Sequence, residues 1–249
     1  MSERSGSPRG DDPAPVRVGL LECDHTDPEL RAIDGDYGEM FLRLFARNAP
    51  HLALSRIDVI GGAPLPPPSA FDAFVVTGSR CDAVGREPWI LALADLVRQA
   101  HDAQVPTVGI CFGHQLIAHV LGGRVERAAH GWGVGVRAAQ VTSDALPPSV
   151  PSRFRLIHSH QDQVVALPPD AELLAASDHA PIAAFRTGSM LGFQGHPEFS
   201  PRFATALMDH RADRIGAEVV AEARPTLSEP TDAAVVARWI GDHLAGGAT

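Results

Sequence analysis

The stretch Thr107-Val-Gly-Ile-Cys111-Phe-Gly-His-Gln115-Leu sets a thiol where it can act as a nucleophile. Val105, Thr107, Val108 and Ile110 make an apolar, largely β-branched run that reads as a strand. Gln115-Leu-Ile-Ala-His-Val-Leu121 reads as a helix. Cys111 lies at the sharp turn between them, with Gly109 and Gly113 on either side, which is the pattern of a nucleophile elbow. Neighbours without a Cβ let strand and helix approach while the apex side chain points outward. The helix start also brings free N–H groups and partial positive charge to the sulfur. A lone cysteine would read as a buried structural residue; the flanking glycines at a strand end favour the nucleophile.

A nucleophilic thiol needs a base, and the base needs an orienting group. Met190-Leu-Gly-Phe-Gln-Gly-His196-Pro-Glu198-Phe supplies candidates for both, 85 residues after Cys111. Pro197 keeps the backbone extended, so residues two apart share one side, and Glu198 can hold the His196 ring while His196 activates Cys111. Both segments fall at the carboxyl ends of expected strands, where open α/β sheets place their sites.

Gly109-Ile-Cys111-Phe-Gly113-His-Gln115 together with Gly195-His196-Pro197-Glu198 resembles the class I (triad) glutamine amidotransferase superfamily. Gly122-Gly123, His130-Gly-Trp-Gly133 and Ser159-His160-Gln161-Asp162 fit the same pattern, and the resemblance runs from about Val16 to Phe203. Within the superfamily the chain is similar to the stand-alone branch related to the amidotransferase domain of GMP synthase, which includes the plant γ-glutamyl peptidases. The resemblance implies a flavodoxin-like fold. It also implies attack by Cys111 on a γ-glutamyl amide, a γ-glutamyl thioester, and hydrolysis assisted by His196 and Glu198. Oxyanion donors would be the backbone of Phe112 and of the turn Gly78-Ser79, where this chain reads Gly-Ser-Arg instead of the Gly-Gly-Pro of synthetase-coupled members. The glutamyl end of the substrate would meet Gln115, Ser159, Gln161 and Asp162, with Asp162 suited to a cationic α-amino group. Gln115 also suits a purely structural place in the first helical turn. His158 and His160 have the alternative of metal ligation, but no further ligand has matching spacing, so neither a metal nor a cofactor is expected.

The 249 residues, 45% of them apolar, suffice for one α/β core over residues 16–249, behind a Ser-, Gly- and Pro-rich tail over residues 1–15 expected to be disordered. No second catalytic domain is expected, so an ammonia-accepting synthase or ligase would be a separate chain. A net charge of −9 disfavours nucleic acid. Cys23, Cys81 and Cys111 show no pairing pattern, and no apolar run suits a membrane span or signal peptide; the expected location is cytoplasmic.

The elements that must carry these groups are read from periodicity and punctuation. Strands are expected at Val16–Glu22, Leu52–Ile60, Ala73–Thr77 and the elbow, with helices at Asp36–Ala46 and, behind Pro88, at Trp89–Gln104. Gly61–Ser69 reads as a Pro-rich linker. Shorter strands follow at Arg124–Arg127, Val134–Val141, Arg155–Ser159, Glu172–Ser177, Ile182–Arg186 and Met190–Phe193. A last helix at Thr231–Leu244 would be capped by Thr231 or Asp232. This order predicts one α/β domain: a mainly parallel sheet with helices on both faces and an antiparallel extension. The segment Asp36-Tyr37-Gly-Glu39 reads as a core-facing helix turn, with the pocket rim near Tyr37, Arg80 and Trp132 as the alternative. The favoured activity is glutamine hydrolysis to glutamate and ammonia. The alternative is a self-contained γ-glutamyl peptidase, with a non-catalytic binding relative third.

Overall fold

In a computed structural model, residues 14–143, 146 and 149–246 are described. Continuous apolar runs with no polar alternation form the centre of the sheet, as expected for strands covered on both faces. These are β1 (Val16–Glu22), β3 (Ala73–Val76) and β4 (Thr107–Ile110), with β2 (Leu52–Asp58) at the edge. Between them lie α1 (Pro28–Asp34), α2 (Tyr37–Asn48) and α3 (Pro88–Asp102); α4 (Phe112–Val120) follows β4. The second half holds β5 (Arg124–Arg127), β6 (Gly133–Val141), β7 (Arg153–His160), β8 (Asp162–Ala166), β9 (Glu172–Ala176), β10 (Ala184–Thr187) and β11 (Met190–Phe193). It closes with α5 (Pro201–His210), α6 (Ala212–Ile215), α7 (Ala217–Ala223) and α8 (Ala233–Leu244).

The main sheet has nine strands in the order β2-β1-β3-β4-β11-β10-β9-β6-β7, and β5 pairs with β8 separately. From β2 to β11 the neighbours are parallel. From β11 onward they are antiparallel, which is the expected extension. On one face Phe41 and Phe45 of α2 and Trp239 and Ile240 of α8 pack over Val18, Val75 and Val108. On the other, Ile90 and Leu93 of α3 and Leu116 and Ile117 of α4 pack over Leu21, Phe74 and Val76. A third cluster joins Tyr37 and Met40 of α2 to Phe203 and Leu207 of α5, over Val134 and Ile157 of the extension.

Some expectations change in detail. The second strand ends at Asp58 rather than Ile60. The strand expected from Ile182 begins at Ala184, and the helix expected over Asp36–Ala46 runs from Tyr37 to Asn48. Asp232 does stand at the N-cap of α8, but its carboxylate accepts the Arg155 N–H at 2.7 Å instead of capping the helix. Both β8 and α1 were missed. Only Gln161 separates β8 from β7, and α1 buries a single residue, Leu30, so neither leaves a periodic signal of its own. The tail expected over residues 1–15 lies outside the described residues except for Ala14 and Pro15. Among the described residues no helix is long and apolar enough to cross a membrane. All three cysteines are free thiols.

The elbow depends on two glycines. A Cβ on Gly109 would lie 2.3 Å from the Gly113 carbonyl carbon, and one on Gly113 would lie 2.4 Å from the Val76 carbonyl oxygen. These neighbours are backbone, so they cannot rotate away. Gly109→Ala should therefore destabilise the fold by about 1–3 kcal/mol in urea unfolding, through overpacking of β4 against α4. An unfolding midpoint unchanged from the parent chain would show that the contact can relax at no cost.

Candidate active site

Three neighbouring parallel strands, β3, β4 and β11, end side by side, and the loop after each delivers one part of the site. Ile110 pairs with Phe193, and the Cys111 N–H donates to the Phe193 carbonyl at 2.8 Å. Cys111 therefore leaves β4 just as the chain leaves β11 toward His196. Cys111 has φ 51° and ψ −98°, a conformation costly for a residue with a side chain, and it immediately precedes α4. Strain of this kind holds the sulfur at the apex.

His196 is fixed from three sides. Its N–H donates to the Ile157 carbonyl at 2.7 Å. Its Nδ1 lies 2.7 Å from Glu198 Oε1, which leaves Nε2 for the Cys111 thiol, to which the ring also hydrogen-bonds. Phe199 stacks on the imidazole with 4.0 Å between centroids and 5° between planes. Both His196 and Glu198 are buried. Burial alone would strip the proton from His196, but the Glu198 charge, aided by Cys111, outweighs it and raises the pKa to about 10.

The residues expected as oxyanion donors lie next to Cys111. Phe112 opens α4, so its N–H is one of the donors the helix leaves free. A Cβ on Gly78 would lie 2.9 Å from His196 Cε1 and 3.7 Å from Cys111 Cβ, which puts this turn against the Cys111–His196 pair. Ser79 Oγ accepts the Cys81 N–H at 3.1 Å and shapes the turn.

Gln115, Ser159, Gln161 and Asp162 line one hollow together with Cys111. Gln115 is buried, and its Nε2 donates to the Asp162 carbonyl at 2.7 Å and to Gln194 Oε1 at 3.2 Å. Its amide nitrogen thus braces the β7–β8 corner rather than the first helical turn itself. His158 Nδ1 lies 3.2 Å from His160 Nε2, and burial lowers both pKa values. Two neutral rings facing each other form a packed pair; among the described residues no group of three His, Cys, Asp or Glu side chains is placed to hold a metal.

A second hollow opens on the His196 side of Cys111, lined by Tyr37, Gly78, Ser159, Phe199 and Arg211. Tyr37 is thus both a core and a pocket residue. Asp36 positions it, accepting N–H groups from Thr26 at 2.8 Å and Tyr37 at 2.9 Å, and Glu39 completes the capping box. Arg80 and Trp132 border the first hollow, as expected for rim residues. The Arg80 guanidinium is already committed, however, to Asp24, Asp27 and the His25 carbonyl. Phe199, Arg211 and Arg214 carried no role in the sequence reading. Phe199 had a signal, as an aromatic directly after Glu198; the two arginines lie outside every recognised motif.

The family model for "Glutamine amidotransferase class-I" matches residues 84–211, which contain Cys111, His196 and Glu198. The chain belongs to the class I glutamine amidotransferases. It is 34% identical over 183 residues to Gamma-glutamyl peptidase 5 of Arabidopsis thaliana, covering 70% of this chain and 72% of that one. GMP synthase [glutamine-hydrolyzing] of Thermomicrobium roseum is 32% identical over 185 residues, which are 66% of this chain but 30% of the synthase. Among solved structures, a glutamine amidotransferase from Thermotoga maritima superposes with a TM-score of 0.71 at 23% identity, over 92% of this chain and 96% of its own. That likeness extends to the fold of this class I amidotransferase.

The Glu198–His196 contact has a consequence for pH. Because the folded pKa of His196 is raised, its stabilising contribution is complete below about pH 6.5 and is lost as pH rises toward about 10. Glu198→Gln removes the charge that holds the proton. The His196 ring, followed by NMR, should then deprotonate at clearly lower pH, and stability should depend less on alkaline pH. Titration at the parent pH would mean that another group holds the proton.

Proposed function

We propose that this chain hydrolyses a γ-glutamyl amide through Cys111, His196 and Glu198. The observation that carries this reading is the thiol held at positive φ beside an imidazole that is itself bound to a buried carboxylate. Cys111 Sγ attacks the amide carbon, and the C–N bond breaks. The thiol proton passes by way of His196 to the departing nitrogen, leaving a γ-glutamyl thioester. His196 then takes a proton from water, whose oxygen attacks the thioester, and glutamate leaves as the thiol re-forms. The Phe112 N–H and the Gly78-Ser79 turn hold the oxyanion in both steps. Asp162, with Ser159 and Gln161 beside it, receives the α-amino end of the glutamyl half.

For the departing half, a γ-glutamyl peptide or conjugate moves ahead of free glutamine. The γ-glutamyl peptidase relative matches over 70% of this chain at 34% identity. The second hollow lies beside His196 and is small, about 20 Å³, so a larger departing group would extend past it toward the mouth that Arg211 also borders. In the glutamine reading, a separate synthase would receive the ammonia.

A glutamine-mimicking alkylator should add to Cys111 and not to Cys23 or Cys81, as read by intact mass and peptide mapping. Cys111→Ala should abolish glutamate release. His196→Ala should cost nearly as much as the loss of the thiol, because the residues act as a unit, while Glu198→Gln should leave more residual kcat. Activity surviving in Cys111→Ala would remove the mechanism. Assays on glutamine, γ-glutamyl dipeptides and glutathione conjugates without a partner separate the two substrates. Saturable cleavage of a γ-glutamyl peptide alongside negligible glutaminase activity is the expected result. Rapid hydrolysis of glutamine only when a synthase is added would reverse the preference.

A further inference from the structure

Resting on the hydrolytic reading above, the geometry points to a carboxylate receptor for the departing half of the substrate, formed by Arg211 with Arg214 beside it. The departing nitrogen must reach His196 to be protonated, so whatever it carries lies on the His196 side of Cys111. That hollow is bordered by Tyr37, Phe199 and Arg211. Apart from His196 itself, Arg211 is the cation there, and it also borders the hollow on the Asp162 side.

The state of its guanidinium separates Arg211 from Arg80 and Arg127, which also border the mouth. Arg80 is held by Asp24 and Asp27, and Arg127 lies 3.4 Å from Asp162 Oδ1. Arg211 Nη1 donates to Ser159 Oγ at 3.2 Å, and among the described residues no carboxylate forms an ion pair with it. Asp27, whose charge it feels, has its two oxygens occupied by Arg80 and His210, each at 3.1 Å. Arg214 lies over the Trp132 ring, 5.7 Å from the centroid, again with no carboxylate partner among the described residues. A chain with a net charge of −9 thus keeps two arginines without counter-ions at the mouth of its reactive thiol. A half-buried guanidinium with free donors is suited to a carboxylate, which it can grip with two parallel hydrogen bonds. The substrate class that follows is a γ-glutamyl amino acid or peptide whose departing amine bears a carboxylate near the scissile bond. Ammonia leaving from glutamine has no group to meet Arg211.

The test compares γ-glutamyl-alanine with γ-glutamyl-alaninamide, which differ only in that carboxylate. In the parent enzyme, kcat/KM for glutamate release should favour the acid by roughly tenfold, the scale of one charge-assisted hydrogen bond. Arg211→Gln should bring the ratio to within about twofold of unity, Arg211→Lys should restore part of it, and Arg214→Gln should lower it partially. The ratio is the informative quantity, because a change in folding would move both substrates together. Equal use of acid and amide by the parent enzyme would overturn the proposal. So would an equal fall for both in Arg211→Gln, because the preference for the acid would then persist without Arg211. Calorimetric binding of the two compounds to Cys111→Ala, with and without Arg211→Gln, decides the same point without turnover. If the parent cleaves neither compound, the hydrolytic reading is decided by the wider substrate panel, and the receptor stands or falls on whether the acid binds more tightly than the amide and loses that advantage with Arg211.

Discussion

The site depends on backbone-to-backbone contact between β4 and α4. Gly109 and Gly113 approach more closely than any side chain permits, and Gly113 in turn rests on the last carbonyl of β3. That contact forces the turn between them to be as tight as Cys111 makes it, with the residue at positive φ. The same register that seats Cys111 sets its partners. Phe193 pairs with Ile110, so β11 ends level with the elbow and hands His196 to the sulfur. Val76 pairs with Gly109, so the Gly78-Ser79 turn arrives from the other side. One packing constraint thus aligns three strand ends.

Electrostatics then works within a space that packing has closed. Phe199 covers one face of the His196 ring, and the Ile157 carbonyl pins its backbone, so the imidazole is shielded from water. Shielding by itself would make it neutral. The Glu198 carboxylate reverses that outcome with one short contact. Among the described residues Glu198 Oε2 receives no hydrogen bond, and the ring is bound through Oε1. A proton on this ring is held firmly near neutral pH, whereas an exposed histidine would hold it only part of the time.

The parallel half of the sheet, the elbow and the His196–Glu198 pair were legible because each is a local pattern. An apolar run, two glycines around a cysteine and a proline between two polar residues all act over a few positions. What was missed depends on distant partners. Nothing near Asp232 announces that its carboxylate turns to Arg155, and nothing in Asp162-Gln-Val-Val-Ala announces pairing with β5 instead of a continuation of β7. Arg80 and Arg211 make the point most clearly. Both border the thiol, yet one is neutralised by residues from the β1–α1 segment and the other is not, a difference that exists only once the chain has folded.

The two halves of a γ-glutamyl substrate would accordingly be read by different layers of the protein. Gln115 and Asp162 are hydrogen-bonded to each other across α4 and β8, next to the elbow, and their places are set by the same packing that sets Cys111. Tyr37 and Arg211 come from the helical layer outside it, where Tyr37 stacks on Phe199 and meets Phe203 edge-on, both at 6.0 Å between centroids. Because Phe199 also stacks on His196, this aromatic cluster ties α2, α5 and the imidazole into one unit. A substitution in that layer would shift the wall of the departing-group hollow while leaving β4, α4 and the sulfur in place. On the proposed mechanism, one thiol and one imidazole could then serve different amides, with the choice among them made by helices that take no part in forming or breaking the bond.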